Sequence, residues 1–178
     1  AYVARTSPRL YSNALSSSSS SSNSSGDSSS EVPRVLSKIS VTANDGTLLR
    51  ICHKSKATRT DMTFGLFLPS THKNVLRSNN KGQSTPALFW LSGLTCDDTQ
   101  FSTKAGAFEA ADREGIALVI PDTSPRGEHV ADDENNYDLG QGAGFYVDAT
   151  DDPWPDHLNM YDLVTAAALS LVSEGSGR

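Results

Sequence analysis

The chain has 178 residues, two cysteines and a formal net charge of −6. That length suits one domain, and no run of about 18 apolar residues is present to span a bilayer. The acidic balance excludes a general nucleic-acid binder, which needs a basic face. Cys52 and Cys96 can build neither a disulfide framework nor, by spacing, a zinc site, which fits a reducing compartment.

Residue 1 is Ala rather than Met, so the start reads as processed or incomplete. Thirteen of the 19 residues from Ser12 to Ser30 are Ser; such a tract buries too little to offset its backbone entropy and is expected to be disordered. Arg5 and Arg9 precede it, and residues 1–26 hold no acid. Residues 1–33 therefore read as a Ser-rich leader, either an organelle transit peptide or a tail with no address.

Residues 34–178 read as folded. Val35, Ile39 and Val41 share one parity against Lys38, Ser40 and Thr42, which predicts a strand. Ala43-Asn44-Asp45-Gly46 is turn chemistry, followed by a second strand from Thr47 to His53. Met62, Phe64, Leu66 and Leu68 alternate with Asp61, Thr63, Gly65 and Phe67 up to Pro69, a third strand at an antiparallel edge. Ala87 to Leu91 is a continuous apolar run, as in a strand buried on both faces. One helix should follow, with Phe101, Ala105 and Phe108 on a face, Glu109 and Arg113 four apart, and Gly115 closing it at the left-handed C′ position. Ile116 to Ile120 is a second buried strand. Strand, helix and strand within about 35 residues make a βαβ unit and hence a parallel α/β sheet. Residues 122–157 read as loop, and a last helix spans Leu158 to Ser173.

From Gly127 to Gly177 there are 11 acids and no Lys or Arg. A solvated loop explains such a run. Asp132, Glu134 and Asn136 alternate like calcium ligands, but the Gly and Glu that complete a calcium loop are missing, so no metal site is assigned.

A parallel sheet invites a search for hydrolase machinery. The nucleophile motif Gly-x-Ser-x-Gly does not occur, and Gly175-Ser176-Gly177 is too compressed to replace it. His53, His72, His129 and His157 have no partner evident in sequence, and each reads as an ordinary residue rather than a general base. What is present is Ser92-Gly93 at the end of the first parallel strand, at the sheet edge where α/β ligands bind. Exposed N–H groups there can stabilise an oxyanion.

Leu91-Ser92-Gly93-Leu94-Thr95-Cys96, then Pro121-Asp122-Thr123-Ser124-Pro125-Arg126-Gly127, then Gly142-Ala143-Gly144-Phe145-Tyr146-Val147-Asp148-Ala149-Thr150 with Pro153-Trp154 and Met160-Tyr161 resemble the successive signatures of the S-formylglutathione hydrolase (esterase D) family. The resemblance covers about Gly46 to Thr165. It implies an α/β-hydrolase fold, here incomplete: antiparallel N-terminal strands, a parallel βαβ unit, and the C-terminal half missing. It also implies a Ser-His-Asp triad that hydrolyses S-formylglutathione to glutathione and formate in formaldehyde detoxification, with side activity on carboxylic esters and no metal or organic cofactor.

The chain ends without a nucleophile elbow, so the serine, acid and histidine are all expected beyond Arg178, and no catalytic residue is assigned within it. By resemblance Leu94 gives the first oxyanion-hole N–H. Gly93 and Cys96 lie near the active site, Cys96 either as a neighbouring thiol or as a small buried residue. Phe145, Tyr146 and Trp154 line the acyl or glutathione pocket, or serve as packing anchors. Arg126 braces its turn rather than a substrate carboxylate, and Asp148 fixes a loop.

Three functions follow as expectations. The first is a serine thioesterase presented as an inactive N-terminal half. The second is a non-catalytic truncated isoform that binds substrate or a full-length subunit, and the third is a carboxylesterase with another acyl preference. The small-molecule substrate is S-formylglutathione, with neither nucleic acid nor membrane as partner, and a homodimer of the full-length form stays open. The cytoplasm is the expected compartment, with an organelle as the alternative through the leader.

Overall fold

A computed structural model describes residues 2–6, 33–72 and 85–173. Six strands form one mixed sheet: β1 (Tyr2–Thr6), β2 (Arg34–Ser40), β3 (Thr47–Lys54), β4 (Asp61–Leu68), β5 (Thr85–Phe89) and β6 (Ala117–Pro121), in the order β1-β5-β6-β4-β3-β2. Helices α1 (Gln100–Lys104) and α2 (Phe108–Arg113) lie between β5 and β6, and α3 (Met160–Ser173) follows a 3-10 turn at Trp154–Asp156.

The antiparallel side is β2-β3-β4, and β4 also pairs antiparallel with β6. β4 is therefore interior to the sheet, and the edge on this side is β2. The parallel pair is β5 and β6, with Leu88 opposite Leu118 and Phe89 opposite Val119. Trp90 extends that ladder by donating its N–H to the Val119 carbonyl at 2.9 Å.

The sheet's period-2 alternation sorts its apolar residues onto two faces. Leu49, Ile51, Leu66, Leu68, Ala87, Phe89, Ala117 and Val119 form one buried cluster. Phe67, Leu118 and Ile120 pack on the other face with Phe101 of α1 and Ala111 of α2. All five residues of β6 are buried, as a strand flanked on both edges and covered on both faces requires.

Two further expectations need correction. The parity of Val35 and Ile39 does not hold, because the β2–β3 register shifts between Val35 and Ser37. Such an irregularity moves later side chains to the opposite face, leaving Val35 against the core and Ile39 53% exposed. The single helix over residues 101–115 is two helices, because Gly106 adopts φ +60 and ends the first. Phe101 and Phe108 still reach the same cluster. Gly115, at φ +66, ends the second as expected.

Tyr2–Thr6 falls in the stretch expected as a leader, yet it forms β1 and pairs antiparallel with β5 from Tyr2–Phe89 to Thr6–Thr85. Its aromatic and β-branched residues suit a strand. Residues 7–32, which hold the Ser-rich tract and the transit-peptide reading, lie outside the described residues, as does Gly175-Ser176-Gly177. Among the described residues no helix is long and apolar enough to cross a membrane.

Candidate functional site

The carboxyl ends of β5 and β6 are where chemistry-bearing loops converge in a parallel sheet. The segment after β5 turns sharply, with Thr95 at φ +64, a conformation that side chains other than Gly rarely adopt. Other segments hold that turn. The Tyr146 hydroxyl donates to the Ser92 carbonyl at 2.8 Å. Thr95 N–H donates to the Gly142 carbonyl at 2.8 Å. The Cys96 carbonyl accepts from the Thr123 hydroxyl and from Arg126 Nη2, the latter at 2.9 Å.

Two buried carboxylates lie close by, and the first anchors these holders. Asp122 pairs with Arg126 at 3.0 Å and accepts the Thr123 N–H at 2.7 Å. Arg126 is thus the brace that its turn suggests. Asp98, almost wholly buried, takes Arg50 through two hydrogen bonds of 2.6 and 2.8 Å and the Thr63 hydroxyl at 3.1 Å. Asp97 starts α1 with a reciprocal box: its carboxylate accepts from Thr99, and its own N–H donates to Gln100 Oε1 at 2.6 Å. Burial opposes ionisation of Asp97, but the Thr99 hydrogen bonds, aided by Arg126 and Arg50, hold it below the usual carboxylate range.

Gly144 packs directly behind the turn. Its φ is +72, and a Cβ there would stand 2.8 Å from both Gly93 C and Leu94 N. Only glycine fits such an approach. With Thr95 bonded to Gly142 and Cys96 N–H to the Gly93 carbonyl, the Gly93–Leu94 peptide is fixed in direction. Among the described residues, the N–H groups of Gly93 and Leu94 meet no acceptor, and Leu94 is 36% exposed. A fixed peptide with an unused donor is what oxyanion stabilisation requires.

Beside this turn lies an open groove of about 310 Å³. Its walls include Trp90, Leu91, Gly93, Cys96, Phe101 and Lys104. Trp90 and Phe101 stack with ring centroids 4.4 Å apart. Cys96 is a half-buried free thiol on that wall, while Cys52 sits half-buried in β3.

Phe145, Tyr146 and Trp154 are not brought together on the groove, and none of them is among its lining residues. Phe145 is 54% exposed. Trp154 is half-buried in the 3-10 turn. Tyr146 packs against Met62, Met160 and Leu163. Burial, reinforced by Asp122 and Cys96, pushes its hydroxyl above the ordinary phenol range, which keeps it a donor. Asp148 accepts the Asp162 N–H at 3.1 Å at the start of α3.

The histidines are dispersed. His53 meets Phe64 edge-on, and buried His72 shares a 2.8 Å hydrogen bond with Thr85. His157 Nδ1 lies 2.9 Å from the Thr58 carbonyl, with its ring edge-on to His129. Among the described residues no group of three or more His, Cys, Asp or Glu is arranged to hold a metal ion.

Reading the residues alone missed Asp98, Thr123 and the backing role of Gly144. The Gly142-Ala143-Gly144 spacing was the available signal, since paired glycines mark close backbone approach.

A family model described as "Putative esterase" matches residues 55–175. The S-formylglutathione hydrolase of Paracoccus denitrificans (strain Pd 1222) is 52% identical over 120 residues, which is 67% of this chain and 40% of that protein. A solved S-formylglutathione hydrolase from Agrobacterium tumefaciens superposes with a TM-score of 0.67 at 34% identity, over 79% of this chain and 47% of that one. The fold is thus part of an α/β-hydrolase-like architecture, and the chain spans less than half the length of both relatives.

Proposed function

The chain belongs to the esterase family, and on that premise we propose that it is the N-terminal part of an S-formylglutathione hydrolase. The observation that carries this is the Gly93–Leu94 peptide in the turn after β5, held by two neighbouring segments, 123–126 and 142–146, with its Leu94 N–H unspent. The chemistry is acyl transfer. A serine hydroxyl attacks the thioester carbonyl while a histidine takes its proton, and the Leu94 N–H receives the charge that develops on the carbonyl oxygen. The glutathione thiolate leaves with that proton, and water then clears the formyl ester as formate. One such donor is worth about 10²–10³ in rate. These 178 residues contain no Gly-x-Ser-x-Gly, so the serine is assigned to polypeptide outside them, together with the second oxyanion donor. Cys96 borders the reacting centre without serving as nucleophile. The proposed setting is the cytosol, where glutathione keeps thiols reduced.

The test is thiol release from S-formylglutathione by the full-length gene product, with a serine-directed phosphonate as probe. Turnover that is faster than on S-acetylglutathione and abolished by the probe is the expected result. Equal or absent turnover overturns the assignment. The 178-residue chain alone should neither turn over substrate nor take up the probe.

A further inference from the structure

A formyl group is a single carbon and offers an enzyme little to grip. Much of the binding energy for its thioester must therefore come from the part of the substrate that does not react. The groove beside the Gly93–Leu94 peptide is built for such a part. It shares Gly93 and Cys96 with the reacting edge, and its volume of about 310 Å³ is within the ~300–1,000 Å³ usual for small-molecule sites.

Its lining is mostly apolar, with one charged side chain, Lys104 at the end of α1. The other cations near the loop are committed, Arg50 to Asp98 and Arg126 to Asp122. The neighbouring acids are committed as well, Asp98 to Arg50 and Thr63 and Asp97 to Thr99. Lys104 makes no ion pair or side-chain hydrogen bond among the described residues, and it borders an apolar surface formed by the stacked Trp90 and Phe101.

We propose that this groove takes the glutathionyl part of the thioester, with Lys104 Nζ pairing the glycyl carboxylate. The proposal rests on the S-formylglutathione reading and assigns Lys104 as its specificity-determining residue. The glycyl end is the better partner of glutathione's two carboxylates. The γ-glutamyl carboxylate carries its own ammonium on the same carbon, whereas the glycyl one has no internal counter-charge. The apolar wall lowers the local dielectric and strengthens the pairing.

Calorimetric titration of the full-length product with S-methylglutathione, whose thioether cannot be hydrolysed, tests this directly. Lys104→Ala should weaken binding about fivefold, the scale of one partly exposed ion pair, while Lys104→Arg retains it. The glycyl carboxamide analogue should bind the unaltered product as weakly as Lys104→Ala binds the parent, and Lys104→Ala should not distinguish the two ligands. Because Lys104 is exposed, the unfolding midpoint of each variant should match that of the unaltered product. Absent binding, unchanged binding by Lys104→Ala, or equal loss on the carboxamide in both proteins overturns the proposal. In the full-length product, Lys104→Ala should raise KM for S-formylglutathione, and it should raise it no further for the glycyl carboxamide of that substrate. Turnover with KM unmoved overturns the Lys104 assignment alone, whereas absence of turnover in the unaltered product overturns the functional reading beneath it.

Discussion

Two loops on the carboxyl side of the parallel pair are held in opposite ways. The turn after β5 is bonded outward: Ser92, Thr95 and Cys96 reach Tyr146, Gly142, Thr123 and Arg126, residues 28 or more positions away in each case but one. The Cys96–Thr123 link spans 27. The acidic stretch after β6 is bonded mainly to itself, Asp133 to Asn135 and Asn136, and Asn136 to Leu139. A loop pinned from outside can leave a backbone N–H unspent and still aim it. A loop that satisfies only itself points nowhere in particular, however many charges it carries. The charge run, the most conspicuous feature after residue 127, is thus the less informative of the two.

Substitution is expected to separate them sharply. Gly144→Ala should be the most damaging change, because a Cβ 2.8 Å from the Leu94 nitrogen meets backbone and φ +72 opposes any side chain. Overpacking and left-handed strain together suggest about 2–4 kcal/mol of lost stability in urea unfolding. In the full-length product a displaced Leu94 N–H should lower S-formylglutathione turnover by about 10². Asp122→Ala should follow at about 2 kcal/mol, since it strands Arg126 and frees the Thr123 N–H; partial exposure of Arg126 keeps this under the full cost of breaking a buried pair. Tyr146→Phe removes one hydrogen bond to Ser92 and should cost about 1 kcal/mol.

A smaller effect is expected from pH. Burial lowers the His53 pKa, against the opposing influence of the Lys54 backbone and Asp61. The fold therefore favours the neutral ring. Its contribution is present above the unfolded value near 6.5 and is lost as pH falls through the lower folded value. The urea midpoint should drop between pH 7.5 and pH 5, and His53→Gln should lessen that dependence, the remainder coming from buried His72, whose pKa burial also lowers. Glu134→Gln, in the self-bonded loop, should leave both unfolding and turnover where they were. A Glu134→Gln effect as large as that of Tyr146→Phe would break the contrast between the loops.

The residues disclosed most of the sheet. The turn at Ala43–Gly46 placed β3, alternation placed β4, and the apolar runs placed β5 and β6 as a parallel pair, because β4 obeys period 2 and β5 and β6 are buried on both faces. Ile39 misled because a shift in register is set by the partner strand and leaves no mark in local pattern. Gly106 was legible as a breaker, but helical spacing across it concealed the break. The brace at Arg126 could be read from its turn. The approach of Gly144 to Leu94 could not be reached by periodicity, since it joins segments 50 residues apart. Family resemblance drew attention to both motifs; their packing explains why they occur together.

The pairing of β1 with β5 sets an order of events during synthesis. Tyr2 precedes its ladder partner Phe89 by 87 residues. At ribosomal rates of roughly 5–20 residues per second, β1 waits on the order of 4–17 s before its partner exists. Until then its backbone N–H and C=O groups have no mate in this ladder, so β1 joins the sheet no sooner than β5 is made.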